Sequence, residues 1–282
     1  MTSTLSGLET TFGLDILNSI SVNQSYVFSP ISLLFTLAIL GPIEFNSSTV
    51  SQTYSKYGLK DPDVYKYLKK DMDGIVVRGD SGMKEHKVSP VNESRILFNQ
   101  AWEARFPHHQ IRSGNFYPTS STSKKVIYFK DENRFLYSED EVFKTVSIPF
   151  DSRNLHFVVF LPKQEFGLVQ ALKNLTKSRF EKLLSDFTPE PVNLSIPKFE
   201  IIQLLINSKQ LGLQPPIKTM MSYKLQPRAA KIVSGRPRVM SSAAMQMIHR
   251  PENRDLIFFK ADQPFVFCVL RRDRPVYFGV YS

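Results

Sequence analysis

His108, His109, Ser29 and Cys268 are the residues of this 282-residue chain best suited by type to catalysis or metal binding, and their spacing argues against both. Adjacent histidines point in different directions in regular structure, and no Cys or carboxylate spacing around them completes a metal signature. Ser29 stands in "FSP" without a Gly-x-Ser-x-Gly elbow, so its hydroxyl reads as a helix cap. Cys268 is the one cysteine, set in an apolar run; it rules out an internal disulfide and reads as a small core residue. There is no Gly-x-Gly-x-x-Gly or phosphate loop, since "GLQPPIK" lacks the second glycine and the Lys-Ser/Thr pair. The expectation is a protein that is not an enzyme and carries neither cofactor nor metal. Two other chemistries remain. The stretch from Pro237 to Ile257, "PRVMSSAAMQMIHRPENRDLI", has no sustained periodicity and precedes strongly apolar sequence, an arrangement suited to presenting a bait to another protein. Residues 201–251 hold eight Lys or Arg and no Asp or Glu, within a net charge of +10. Their field is not cancelled locally and would attract nucleic acid, a sulfated polysaccharide such as heparin, or an acidic partner; separately solvated side chains are the alternative.

The elements that must hold these segments are legible in part. Composition is that of a water-soluble chain, 42% hydrophobic and 22% charged, and allows one large domain or two small ones. The apolar run "PISLLFTLAIL", residues 30–40, is too short for a bilayer span of about 20 residues and opens on Ser29-Pro30, so it reads as a buried helix in a protein without a membrane partner. Leu5, Leu8, Phe12, Ile16 and Ile20 predict a helix before it, and no signal peptide is seen, which predicts a cytoplasmic, intracellular protein. The sequons at Asn92 and Asn174 keep an extracellular alternative open. Residues 78–94 read as a polar loop, and 95–102, 142–150, 155–162 and 192–201 as strands, the middle two forming a hairpin. A capping box at Ser178 and Glu181 predicts a helix bearing Phe180, Leu183, Leu184 and Phe187, and "IIQLLINSKQLGL" predicts another that ends near Gly212. Finally Phe265–Leu270 and Val276–Val280 predict a hairpin buried on both faces, because neither run alternates apolar with polar. Helices first, mostly antiparallel strands later and a closing hairpin make the class α+β.

The order of these pieces resembles the serpins, the serine protease inhibitor superfamily. The matching segments are "YVFSPISLLFTLAIL", "ILFNQAWEARF", "VSIPF" followed by "FVVFLPK", "LSIPKFEI" before "LGL", and "FKADQPFVFCVL" with "VYFGV", which run nearly from end to end of residues 1–282. The resemblance implies a single serpin-like domain whose exposed reactive-centre loop, here Met240 to Arg254, precedes the buried hairpin. It puts the scissile bond near Asn253-Arg254, makes Arg250 and Arg254 targets for proteases with a carboxylate in the specificity pocket, and places Trp102 in the sheet-opening region. In the family, cleavage lets the loop slide into the main sheet and trap the acylated protease. Two departures stand out. Where inhibitory members carry an acidic hinge followed by small residues, this chain has Arg236, Pro237, Arg238 and Val239, with small residues only at Ser241, Ser242, Ala243 and Ala244. Residues 59–94 are also too few for the helices and two strands of the family, which predicts an exposed sheet edge. Reduced or absent inhibition is therefore expected; the alternatives are a working inhibitor of a serine or cysteine protease, and a polyanion-binding protein.

Overall fold

The computed structural model describes residues 7–40, 53–76, 83–85, 96–98, 111–150, 154–199, 201–203, 223–225 and 255–282. Helix α1 (Leu8–Ser19) is followed by strand β1 (Tyr26–Phe28), α2 (Pro30–Leu40) and α3 (Pro62–Val76). Two short strands follow, β2 (Met83–Glu85) and β3 (Ile96–Phe98), and then the long hairpin β4 (Ile111–Thr119) and β5 (Thr122–Glu139). Next come β6 (Phe143–Pro149), β7 (Leu155–Pro162), α4 (Leu168–Asn174), α5 (Lys177–Ser185), β8 (Thr188–Pro197) and β9 (Ile201–Gln203). The chain closes with β10 (Tyr223–Leu225), β11 (Ile257–Lys260), β12 (Phe265–Arg271) and β13 (Arg274–Tyr281).

Nine strands form one sheet in the order β1-β13-β12-β7-β6-β5-β8-β11, with β4 also paired to β5, and four form a second in the order β2-β3-β10-β9. Pairing is antiparallel throughout except at two places among the described strands, β8 with β11 and β3 with β10. The class is α+β, as the sequence predicts. The closing hairpin is the centre of the core: β12 lies between β7 and β13, and β13 between β12 and β1, so neither strand has a free edge. Both faces are covered as well. On one side the Phe180 ring of α5 packs on Phe160 and Phe278, centroids 5.4 and 5.6 Å away. On the other, Phe267 meets Phe157 and Phe199, each at 5.3 Å. Gly279 is the point of closest approach, where a Cβ would stand 2.5 Å from the Tyr26 carbonyl oxygen, so β1 reaches the hairpin only because no side chain intervenes. Each large apolar side chain buried here contributes about 1.5–3 kcal/mol. Burial also pushes the Cys268 thiol well up, which keeps it in the unreactive protonated form and fits a core residue.

Helix starts follow local chemistry. Ser29, fully buried, accepts from the Ser32 amide at 3.4 Å and caps α2. Asp61 accepts from the Asp63 amide at 2.8 Å, with Pro62 in the first position of α3. Three expectations need correction. The cap of α5 is Thr176, whose hydroxyl accepts from the Arg179 amide at 3.2 Å, because the helix begins at Lys177 and Ser178 is already inside it. Residues 201–203 are strand β9, since Ile201, Ile202 and Gln203 pair in register with Leu225, Lys224 and Tyr223; residues 204–212 of the expected helix lie outside the described residues. The region read as a polar loop holds β2, which covers one edge of β3. Residues 59–94 thus contain α3 and one short strand among their described residues.

Candidate functional site

None of the residues singled out from the sequence as loop, hinge or opening region is among the described residues: Trp102, Arg236, Pro237, Arg238, Val239, Ser241, Ser242, Ala243, Ala244, Arg250, Asn253 and Arg254 all lie outside them. What the structure fixes is where the segment that contains most of them begins and ends. The chain leaves the small sheet at Leu225 and enters the large sheet at Ile257.

Among the described residues, the upstream strand has few pairings. β10 pairs with β9 over three residues and with β3 over two, Lys224 with Leu97 and Leu225 with Phe98. The β3/β10 pair is the one parallel pair of that sheet. A chain that turns back directly after β10 runs antiparallel to it, and therefore antiparallel to β3 too. Parallel pairs such as this one have slanted hydrogen bonds and are slightly less stable per residue than antiparallel ones.

The downstream anchor is heavily tied. β11 lies parallel to β8 over four residue pairs, from Ile257 with Val192 to Lys260 with Ser195. The Phe259 side chain is fully buried. Past the strand, the Ala261 amide donates to the Ser195 carbonyl at 2.9 Å and the Tyr117 amide to the Asp262 carbonyl at 2.7 Å. Lys260 pairs with Asp262 at 2.6 Å. Gln263 then clamps the turn after β7: its Oε1 accepts from the Phe166 amide at 2.7 Å and its Nε2 donates to the Pro162 carbonyl at 3.0 Å. Phe166 has φ 56°, a left-handed backbone that a bulky residue adopts only when its surroundings impose it, and the Gln263 amide is one such constraint. Sequence reasoning missed Gln263; the signal was "ADQP", a polar break between two apolar strands.

Electrostatics near this anchor are mixed. Burial raises the Asp131 carboxyl on β5 above its usual range, an effect opposed by hydrogen bonds from the Glu132 backbone and the Asn133 side chain and reinforced by the Glu132 charge. Lys124 stands over the rings of Phe116 and Tyr281, 5.0 and 4.8 Å from their centroids, and burial lowers its ammonium. Among the described residues no three His, Cys, Asp or Glu gather where they could hold a metal ion. Among the described residues, the strand that follows residues 226–254 has more ties than the strand that precedes them.

The profile of the serpin (serine protease inhibitor) family matches residues 85–211. An uncharacterized serpin-like protein of Methanosarcina acetivorans is 23% identical over 93% of this chain, and the chain spans 63% of the length of that relative. Among solved structures, SRPN18 from Anopheles gambiae aligns over 99% of this chain and 98% of its own with a TM-score of 0.75 at 13% identity. Uncleaved ovalbumin aligns over 98% and 99% with a TM-score of 0.74 at 15% identity. The fold is the serpin fold, and the sequence is similar to serpins.

Proposed function

We propose that this chain presents Met240 to Arg254 as a protease-sensitive reactive-centre loop and that proteases which attack it cleave it and leave, so that it inhibits poorly or not at all. The observation that carries this reading is the chemistry of its hinge, Arg236-Pro237-Arg238, set against the β3/β10 pair through which a loop would have to enter. Pro237 donates no amide to either neighbouring strand, and each buried carbonyl left without a donor costs about 1–3 kcal/mol. Arg236 and Arg238 add charge that must find solvent or a partner. These costs fall on the step that must outrun deacylation of the protease, and slow insertion means release. With a trypsin-like enzyme, cleavage between Arg250 and Asp255 is expected, with no covalent complex on a denaturing gel and no rise in melting temperature after the cut. A detergent-stable complex, or a cleaved form that melts far higher, would make a working inhibitor of serine or cysteine proteases the better reading.

The acid-free segment 201–251 supports a second, separable reading, binding to a polyanion such as heparin. Retention on a heparin column should fall steeply with salt and be lost when Lys224, Arg228, Lys231, Arg236 and Arg238 are neutralised together. Unchanged retention removes that reading and leaves the first intact.

A further inference from the structure

We infer that Phe258 is a docking contact for the protease that attacks the loop, and that it helps decide which protease that is. The inference rests on the proposed reading of Met240 to Arg254 as bait. In β11 the side chains alternate: Phe259 faces inward with no exposure, and Phe258 faces outward with 68% of its surface exposed. The outward row that Phe258 belongs to is otherwise polar, with Asn193 opposite it on β8 and Glu132 beyond on β5. Core packing therefore does not call for a phenylalanine at 258, and an exposed aromatic on an edge strand carries a cost in solubility. Among the described strands, nothing pairs with the outer edge of β11.

Reach identifies the occupant. Phe258 lies four residues beyond Arg254, which at about 3.3 Å per residue is at most about 13 Å. A standard protein–protein contact covers about 800 Å² on each partner, a patch roughly 30 Å across. An enzyme engaged at the Asn253-Arg254 bond therefore overlies Phe258 with little adjustment. The backbone that carries the ring is already positioned by the β8/β11 ladder and by the hydrogen bonds at Ala261 and Asp262, so little backbone freedom is lost when it is covered. Lys260 shares its row, and across β8 Lys130 stands in register with Ser195 beside Lys260. The matching surface on the protease is an apolar pocket with a carboxylate on its rim, on the side of the cleft that holds the residues after the cut.

The test compares the intact protein with Phe258→Ser, Phe258→Tyr and, as a remote exposed control, Val169→Ser, against a panel of trypsin-like proteases. Cleavage between Arg250 and Asp255 is assigned by mass spectrometry and its kcat/KM measured. For the enzyme that cuts the wild type fastest, Phe258→Ser should lower kcat/KM by roughly tenfold, as truncation of a central interface aromatic does. The bond cut and the melting temperature should not change, Phe258→Tyr should recover most of the rate, and Val169→Ser should leave it unaltered. Equal kcat/KM for Phe258→Ser and wild type across the panel overturns the inference while leaving the bait reading standing. If no protease cuts in this window, the bait reading fails and this inference fails with it. If the wild type sediments as a dimer that Phe258→Ser dissociates, the occupant is a second copy of this chain, and the protease assignment is wrong.

Discussion

The described strands on either side of residues 226–254 each lie in a parallel pair, β11 with β8 over four residue pairs and β10 with β3 over two. Downstream, β11 and β8 share four residue pairs, and the chain is tied again at Ala261, Asp262 and Gln263 before it enters a hairpin covered on both faces and both edges. Upstream, β10 meets β3 over two pairs, in a four-stranded sheet whose strands are three residues long. Fewer ladder bonds hold that pair among the described residues, and it is expected to open more readily than the large sheet. The difference leads to an expectation: if residues 226–254 rearrange, the change begins at β10 and leaves β11 in place.

The largest test removes what makes the downstream end firm. Phe267 is fully buried between Phe157 and Phe199, one strand from Gly279. Phe267→Ala should cost about 3–5 kcal/mol, because the rings around it cannot all collapse into the space. For a domain of this size the melting temperature should drop by on the order of 10 °C. Hydrogen exchange decides what the loss means. If the two anchors are independent, amides of β11 and β12 lose protection in the variant and those of β9 and β10 do not. A uniform loss over both sheets would show one cooperative unit and remove the comparison.

How much of this was legible beforehand depends on how each element is buried. The closing hairpin, β7 and α2 were readable because they are apolar on every side, which leaves an apolar run in the sequence, and β6 because it is rich in β-branched and aromatic residues. The long strand β5 was not read at all. Its 18 residues pair with β8 on one edge and with β4 and then β6 on the other, so neither face is buried along its whole length; Phe129 and Phe135 are buried while Lys130, Glu132 and Arg134 are exposed. α3 was missed because exposed lysines outnumber Val64 and Leu68, which alone mark its buried side among the residues from 62 to 70. β9 was misread because "IIQLL" suits a helix by propensity, and only the pairing with β10 settles it as a strand. Of the candidate site, the order of segments could be read, but the asymmetry of its anchors could not. That asymmetry depends on a side-chain amide, Gln263, binding two backbone groups 97 and 101 residues away in sequence.

A milder change sharpens the comparison at that amide. Gln263→Ala removes both hydrogen bonds, leaves the Phe166 amide and Pro162 carbonyl to find water, and should cost about 1–2 kcal/mol. The effect should be local. Exchange at the Phe166 amide should quicken, and cleavage within residues 250–255 should speed up as the downstream support loosens, while β10 is unaffected. No change at Phe166 would show that its left-handed turn is held by its own packing and that Gln263 is incidental.

The smallest expected effect asks whether charge, rather than burial, distinguishes the large sheet. At the end of β5, Glu139 lies 3.0 Å from Lys163 and accepts from the Tyr137 hydroxyl at 2.8 Å. Burial works to raise its carboxyl, but hydrogen bonds from Lys163 and Tyr137, with the charges of Lys163 and Lys144, hold it below the usual range. A carboxylate whose value is depressed on folding stabilises the fold at pH above its unfolded value, and that stabilisation is lost as pH falls through the folded value. The window therefore lies below about pH 4, where an unperturbed glutamate begins to protonate. Because both partners are partly exposed, the pair contributes less than about 1 kcal/mol. Glu139→Gln should melt slightly below wild type at pH 7, and the two should converge as the pH is lowered toward 3. Strands β6 and β7 should keep their protection against exchange in both, since what holds them is the apolar contact of Val146, Ile148, Phe157 and Val159 with the rest of the core. A gap that persists in acid would place the role of Glu139 in packing; a collapse of β6 and β7 with the pair would mean that the firmness of the large sheet is electrostatic in origin, against the account of its anchor given above.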